Sequence, residues 1–157
     1  LVASHSAADH GQLDAFRYIC EVAPASINHA DDRGFTPMRY ALYGPESALE
    51  GRMAVMHFIA EVAPTIINQA NINGGTPMHW AAATGLPDVV RLIHKVAGPE
   101  SVNQADDGGK TPLHFAVCEA GNQIPVIKTL LELRGDPRLV NSDGHTPLTI
   151  ARLGASD

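Results

Sequence analysis

The sequence predicts an all-α repeat solenoid, a stack of helix-turn-helix units joined by short β-turn or hairpin fingers. Three observations carry that expectation. The pair Thr-Pro recurs at Thr36, Thr76, Thr111 and Thr146, with spacings of 40, 35 and 35 residues, and its flanks recur with it in FTPMRYALYG, GTPMHWAAATG, KTPLHFAVCEAG and HTPLTIARLG. Downstream, LDAFRYICEVAP, MAVMHFIAEVAP and PDVVRLIHKVAGP match one another as closely. Finally, 22 of the 157 residues are alanine and only 8 are aromatic, so the interior is built from small side chains that let helices approach.

The first unit, about residues 1–27, lacks a turn before its opening helix and runs through Ser4-His5-Ser6-Ala7-Ala8-Asp9-His10-Gly11 into an amphipathic second helix that Pro24 stops. The second, about 28–67, begins with the Asn/Asp/Gly-rich turn SINHADDRGF. Thr36 then serves as cap and Pro37 as a first-turn residue, where its missing N–H costs nothing. This unit has about six extra residues between its helices, Gly44 to Gly51, which explains the 40-residue spacing. The third, about 68–102, and the fourth, about 103–138, repeat turn, helix and helix, the fourth with about two extra residues near Ala120 to Pro125. Both insertions are expected at the helix ends away from the turn tips, because repeat-protein insertions map to loops on one face. The fifth, about 139–157, lacks its second helix. A single unit cannot bury its apolar face, so neighbours must stack. Phe16, Met56, Val90 and Ile127, with Ile19, Ile59, Ile93 and Leu130, are the expected spine of the second helices, and Ala7, Ala41, Ala81, Ala116 and Ala151 the close-packing sites of the first.

These residues resemble the ankyrin repeat family, whose unit of about 33 residues carries the signature T-P-L-H-x-A-A-x-x-G. Thr76-Pro77-Met78-His79-Trp80-Ala81-Ala82-Ala83-Thr84-Gly85 matches it nearly throughout and Thr111-Pro112-Leu113-His114-Phe115-Ala116 matches its first six positions. The resemblance covers essentially the whole chain and implies a single ankyrin-repeat domain over 1–157. It implies a non-catalytic protein–protein interaction module that binds a partner protein through its concave face and turn tips. Carried over unit by unit, the contact positions are Asp9 and His10; Asp32, Arg33, Phe35 and Tyr43; Ile72, Asn73, Ala83 and Thr84; Asp107, Lys110, Cys118 and Glu119; and Ser142, Asp143 and His145. Phe35, Tyr43 and Ile72 are the expected apolar anchors, although Phe35 and Ile72 could equally pack across neighbouring turn tips. The resemblance also makes the recurring His5, His79 and His114 structural, tying Thr to adjacent backbone. Arg39 and Thr149 break that pattern, and Arg39 is expected to turn to solvent.

Other chemistry is weakly supported. Neighbouring helices lie about 8–10 Å apart, too far for recurring histidines to share a zinc ion, and the acidic turns lack the alternating ligands and closing Glu of a calcium loop. No metal and no cofactor are expected. No P-loop, dinucleotide fingerprint or nucleophile elbow is present, and adjacency of Cys118 to Glu119 and His114 does not make a catalytic pair, so no catalytic residue is assigned. The net charge of −6 argues against nucleic acid as the main partner. Apolar runs are too short to insert into a membrane. Two cysteines without a framework favour an intracellular, reducing compartment, the cytoplasm foremost. With both end units incomplete, the chain reads as an excerpt of a longer protein. The alternative function is therefore a regulatory or substrate-docking segment of a larger enzyme or effector whose catalytic domain lies elsewhere.

Overall fold

The computed structural model describes residues 2–119 and 123–154. First helices α1 (Ala3–Asp9), α3 (Pro37–Tyr43), α5 (Pro77–Ala83), α7 (Pro112–Cys118) and α9 (Pro147–Gly154) alternate with second helices α2 (Leu13–Val22), α4 (Leu49–Val62), α6 (Pro87–Ala97) and α8 (Ile124–Glu132). Among the described residues there is no strand, so the fingers are turns, and no helix is long and apolar enough to cross a membrane. Each finger-led first helix begins with Pro in its first turn, and the preceding Thr36, Thr76 and Thr111 are extended. The second helices α2, α4 and α6 end just before Pro24, Pro64 and Pro99, each of which starts a short 3-10 turn.

Packing follows side-chain size. Ala41, Ala81 and Ala116 are fully buried, and α1 with α3, α5 with α7 and α7 with α9 pack more intimately than any two successive second helices. An array whose first helices sit closer than its second helices must curve, so the first helices line the concave side. The α3–α5 junction is the loosest along that side. It is also where the bulkiest first-helix side chains, Arg39, Tyr43 and Trp80, meet.

The apolar spine is present, with one correction. Met56, Ile59, Val90, Ile93 and Leu130 are fully buried, but Ile127 is half-exposed and Val126 takes the buried place. Among the described residues α8 packs against α6 and α7, with no second helix on its far side to cover Ile127. Ile19 and Ala151, near the ends of the array, are half-exposed for the same reason.

The insertion after α3 lies at the end of the helices opposite the fingers, as expected. It forms a 3-10 turn at Glu46–Ala48 and extends α4, whose first residue, Leu49, is half-buried. It is pinned to the first unit. A Cβ on Gly44 would overlap the carbonyl oxygen of Asp9, and one on Gly51 would overlap that of Gly11. Buried Arg52 donates through Nη1 to the Ala41 carbonyl at 2.9 Å, satisfying the C-terminal end of α3. The second insertion, near Ala120 to Pro125, lies partly outside the described residues.

The end of α8 has a substitution that costs stability. Gly135 N–H donates to Leu130 O at 2.7 Å and Arg134 N–H to Leu131 O at 3.0 Å, a Schellman closure that places Arg134 at φ 69°. Glycine fills the matching left-handed position at Gly11 and Gly85. Arg134→Gly is expected to raise the unfolding free energy by about 0.5–1 kcal/mol, since a left-handed L-residue costs about 1 kcal/mol or more. Urea titration checks this; an unchanged or lower midpoint would refute it.

Candidate interaction face

The fingers are built by one side chain each. Asp31 Oδ1 accepts the backbone N–H groups of Arg33 and Phe35 at 2.9 and 2.8 Å, and Asn71, Asp106 and Asn141 repeat the arrangement in the later fingers. Gly34, Gly74, Gly109 and Gly144 close these turns at φ between 72° and 77°, which L-residues rarely adopt. Successive tips are joined by single backbone bonds: Ile72 N–H to Arg33 O at 3.3 Å, Asp107 N–H to Asn73 O at 3.0 Å and Ser142 N–H to Gly108 O at 2.9 Å. The tips therefore form a continuous ridge with their side chains left over for other contacts.

Behind the ridge, the histidines act as struts. The Thr76 backbone N–H donates to His79 Nδ1 at 3.1 Å, and Thr76 Oγ1 lies 2.9 Å from the same nitrogen. An N–H can only donate, so Nδ1 is bare and Nε2 carries the proton that it gives to Lys110 O in the next finger, at 2.9 Å. His114 repeats this with Thr111 and His145 O. His5, behind Val2 in place of Thr, keeps the strut to His29 O at 2.6 Å and stacks on Tyr40 at 4.5 Å. Burial lowers the pKa of all three rings, and the hydrogen bonds to His29, Lys110 and His145 carbonyls oppose it without reversing it. These rings are thus held neutral and have no free nitrogen for chemistry at His79 or His114. In the fifth unit Thr149 bonds Thr146 instead, with the hydroxyls 3.0 Å apart.

Arg39 does not turn to solvent. Its guanidinium carbon lies 3.7 Å from the Tyr43 ring centroid, 4.8 Å from that of Phe35 and 4.9 Å from that of Trp80. Phe35 and Tyr43 in turn meet Trp80 edge-on at 5.9 and 6.3 Å, and Trp80 meets Phe115 at 5.2 Å. The result is a band of rings across two junctions of the concave side, with one cation embedded in it. Burial raises the Tyr43 phenol, the nearby Arg39 charge opposes that, and Glu119 adds to it.

Most of the expected contact positions lie along this band and ridge. Tyr43 is 44% exposed and Ile72 65% exposed, while Phe35 is half-buried against Trp80 and Arg39 and so packs across to the next unit. Asp32, Arg33, Asn73, Asp107, Lys110, Ser142 and Asp143 project from the tips; His145 is half-buried there, its carbonyl serving His114. Thr84 is half-buried and donates to Trp80 O at 2.9 Å. Ala83 is a correction: it is only 6% exposed, with Gln123 of the fourth unit donating to its carbonyl, and offers no side chain to a partner. Asp9 and His10 stand apart at the end of α1 as a pair 3.6 Å apart. Cys118 and Glu119 are exposed beside a hollow of about 180 Å³ shared with Lys110, His114 and Phe115. Burial raises the Cys118 thiol, the opposite of activation, and its candidate base His114 has both nitrogens engaged. Sequence reasoning missed Arg39, Trp80 and Phe115. The available signal was the recurrence of large rings at Tyr40, Trp80 and Phe115, directly after the histidine position.

Among the described residues no cluster of three metal-ligating side chains occurs. A family model for ankyrin repeats, in three copies, matches residues 47–141. The comparison with curated proteins returns no match.

Proposed function

This chain belongs to the ankyrin repeat family, and from that premise we propose that it is a non-catalytic module that holds a partner protein against the concave band and the finger tips. Members of the family are generally protein–protein interaction modules. The observation that supports this reading most is the band itself. In a chain with only 8 aromatic residues, Phe35, Tyr43, Trp80 and Phe115 gather on one side, with exposed Ile72 on the adjoining ridge. Aromatic and Arg side chains at a partly desolvated centre are the usual sources of binding energy, and charges around them tune on-rate and partner choice.

The test is a quantitative comparison of proteins cross-linked to the wild type, to Tyr43→Ala/Ile72→Ala, and to Tyr18→Ala/Val62→Ala, which alters exposed residues of the second helices. The concave pair is expected to weaken capture about tenfold or more while changing stability by less than about 1 kcal/mol. Loss of capture with the second-helix pair, and not with the concave pair, would place the interface on the wrong side and refute the assignment.

A further inference from the structure

We infer that Arg39 is the receptor for an acidic side chain of the partner, which docks a carboxylate on the free edge of its guanidinium between Tyr43 and Trp80. This rests on the concave-face reading above and gives it a chemistry.

Arg39 occupies the position at which His5, His79 and His114 brace the next finger, yet it does no such bracing. Among the described residues it has no hydrogen-bond acceptor and no carboxylate within ion-pairing distance, and its Nε is buried without a partner. Its contacts are the three rings, which attract the cation through their faces and leave its N–H groups unanswered. A guanidinium presents its donors in a planar fork that matches a carboxylate in two parallel bonds. A cation held against rings at a half-buried site gains more from such a partner than one in open water.

The neighbouring acids do not fill this role. Asp31 is engaged by Arg33 N–H, Phe35 N–H and the Tyr40 hydroxyl, the last at 2.8 Å. Asp32 and Glu119 are exposed at the margins and make no bond to Arg39, while Arg33 and Lys110 are exposed cations with no ion pair among the described residues. The margin acids and the net charge of −6 favour a singly charged carboxylate over a phosphate, whose extra charge they would repel. The rings then set the company of the acid: an apolar residue beside it in the partner can cover the edges of Tyr43 and Trp80 and keep water from the ion pair.

The probe is a random-peptide library displayed on phage, selected in parallel on the wild type and on Arg39→Gln. The wild type is expected to enrich Asp or Glu at one fixed position beside an apolar residue, and Arg39→Gln to lose that preference. A synthetic peptide from the selection should bind the wild type about ten- to hundredfold better than its own Glu→Gln version, with the difference abolished on Arg39→Gln and only partly restored on Arg39→Lys. The peptide-side change leaves the protein untouched, so the outcome does not depend on how well Arg39→Gln folds. Peptides without a fixed acid, an acid preference that survives Arg39→Gln, or tighter binding of a phosphoserine version would overturn the carboxylate receptor while leaving the interaction face standing. Peptides unaffected by Tyr43→Ala/Ile72→Ala would overturn both.

Discussion

His79→Ala is expected to lower the unfolding free energy by about 3–5 kcal/mol, although the ring lies wholly beneath the surface. The ring is fully buried and joins three polar groups: the Thr76 N–H, the Thr76 hydroxyl and the Lys110 carbonyl. Alanine leaves all three without it. A buried donor or acceptor that loses its partner costs about 1–3 kcal/mol, and the emptied volume adds a cavity term because the edge of Phe115 packs on the ring at 5.0 Å. Partial relaxation of the hydroxyl, which can rotate towards another acceptor, brings the sum below the full total of the separate penalties. In a linear array each junction carries its own share of the stability, so the damage should concentrate between the third and fourth units. Urea titration gives the magnitude, and hydrogen exchange should speed up most at Thr76 and along the Asp106–Lys110 finger. A loss under about 1 kcal/mol, or protection lost evenly along the chain, would show that the strut is not what joins these units.

The periodic parts of this molecule were legible in its sequence because they are local. Thr-Pro fixes where each finger-led first helix begins, the prolines at 24, 64 and 99 fix where three second helices have already ended, and Asp or Asn ahead of Gly fixes each finger. The histidines were legible as structural only through the family resemblance; their bond to Thr is local, three residues away, but their reach to a finger 31 residues on is not. What escaped prediction is assembled from distant pieces. Arg39 was visible as a departure from the pattern, but its rings come from a finger, from one turn further along α3 and from a helix in the next unit, and only stacking brings them together. Ala83 lies where the signature implies exposure, yet it is buried, and Gln123, 40 residues away, donates to its carbonyl. Arg134 in a left-handed turn breaks the propensity rule outright; the 2.7 Å closing bond from Gly135 offsets the strain. Ile127 aligned correctly with Val90, yet exposure there is set by the absence of a covering helix on the far side among the described residues, a property of the stack's end rather than of the segment.

Mild acid should destabilise this protein well before its carboxylates are protonated. His5, His79 and His114 all have pKa values lowered from 6.5, with burial as the leading cause, and at His79 and His114 protonation of the bare Nδ1 would set an N–H against the Thr N–H that now donates to it. As pH falls through 6.5 the unfolded chain takes up a proton on each of these rings and the folded chain resists. The unfolded state then binds more protons than the folded state, so stability must fall as pH falls, by up to about 1.4 kcal/mol per pH unit for each fully resisting ring. The losses at the three rings add, and each ends once the pH has passed below that ring's lowered folded-state value. The contribution is complete above pH 6.5 and is lost on acidification below it. Asp31 acts separately: burial tends to raise its pKa, but the bonds from Phe35, Tyr40 and Arg33 outweigh that and leave it lowered from 3.8, so its contribution is lost only in stronger acid. Urea titrations between pH 8 and pH 5 should therefore show a plateau down to about neutrality and a decline beneath it. His79→Gln, which carries no titrating group at that position, should start less stable and decline less steeply. A flat profile across this range, or an unchanged slope in His79→Gln, would mean that the struts accept protons without opening and that the neutral rings are not what holds the fingers to the helices.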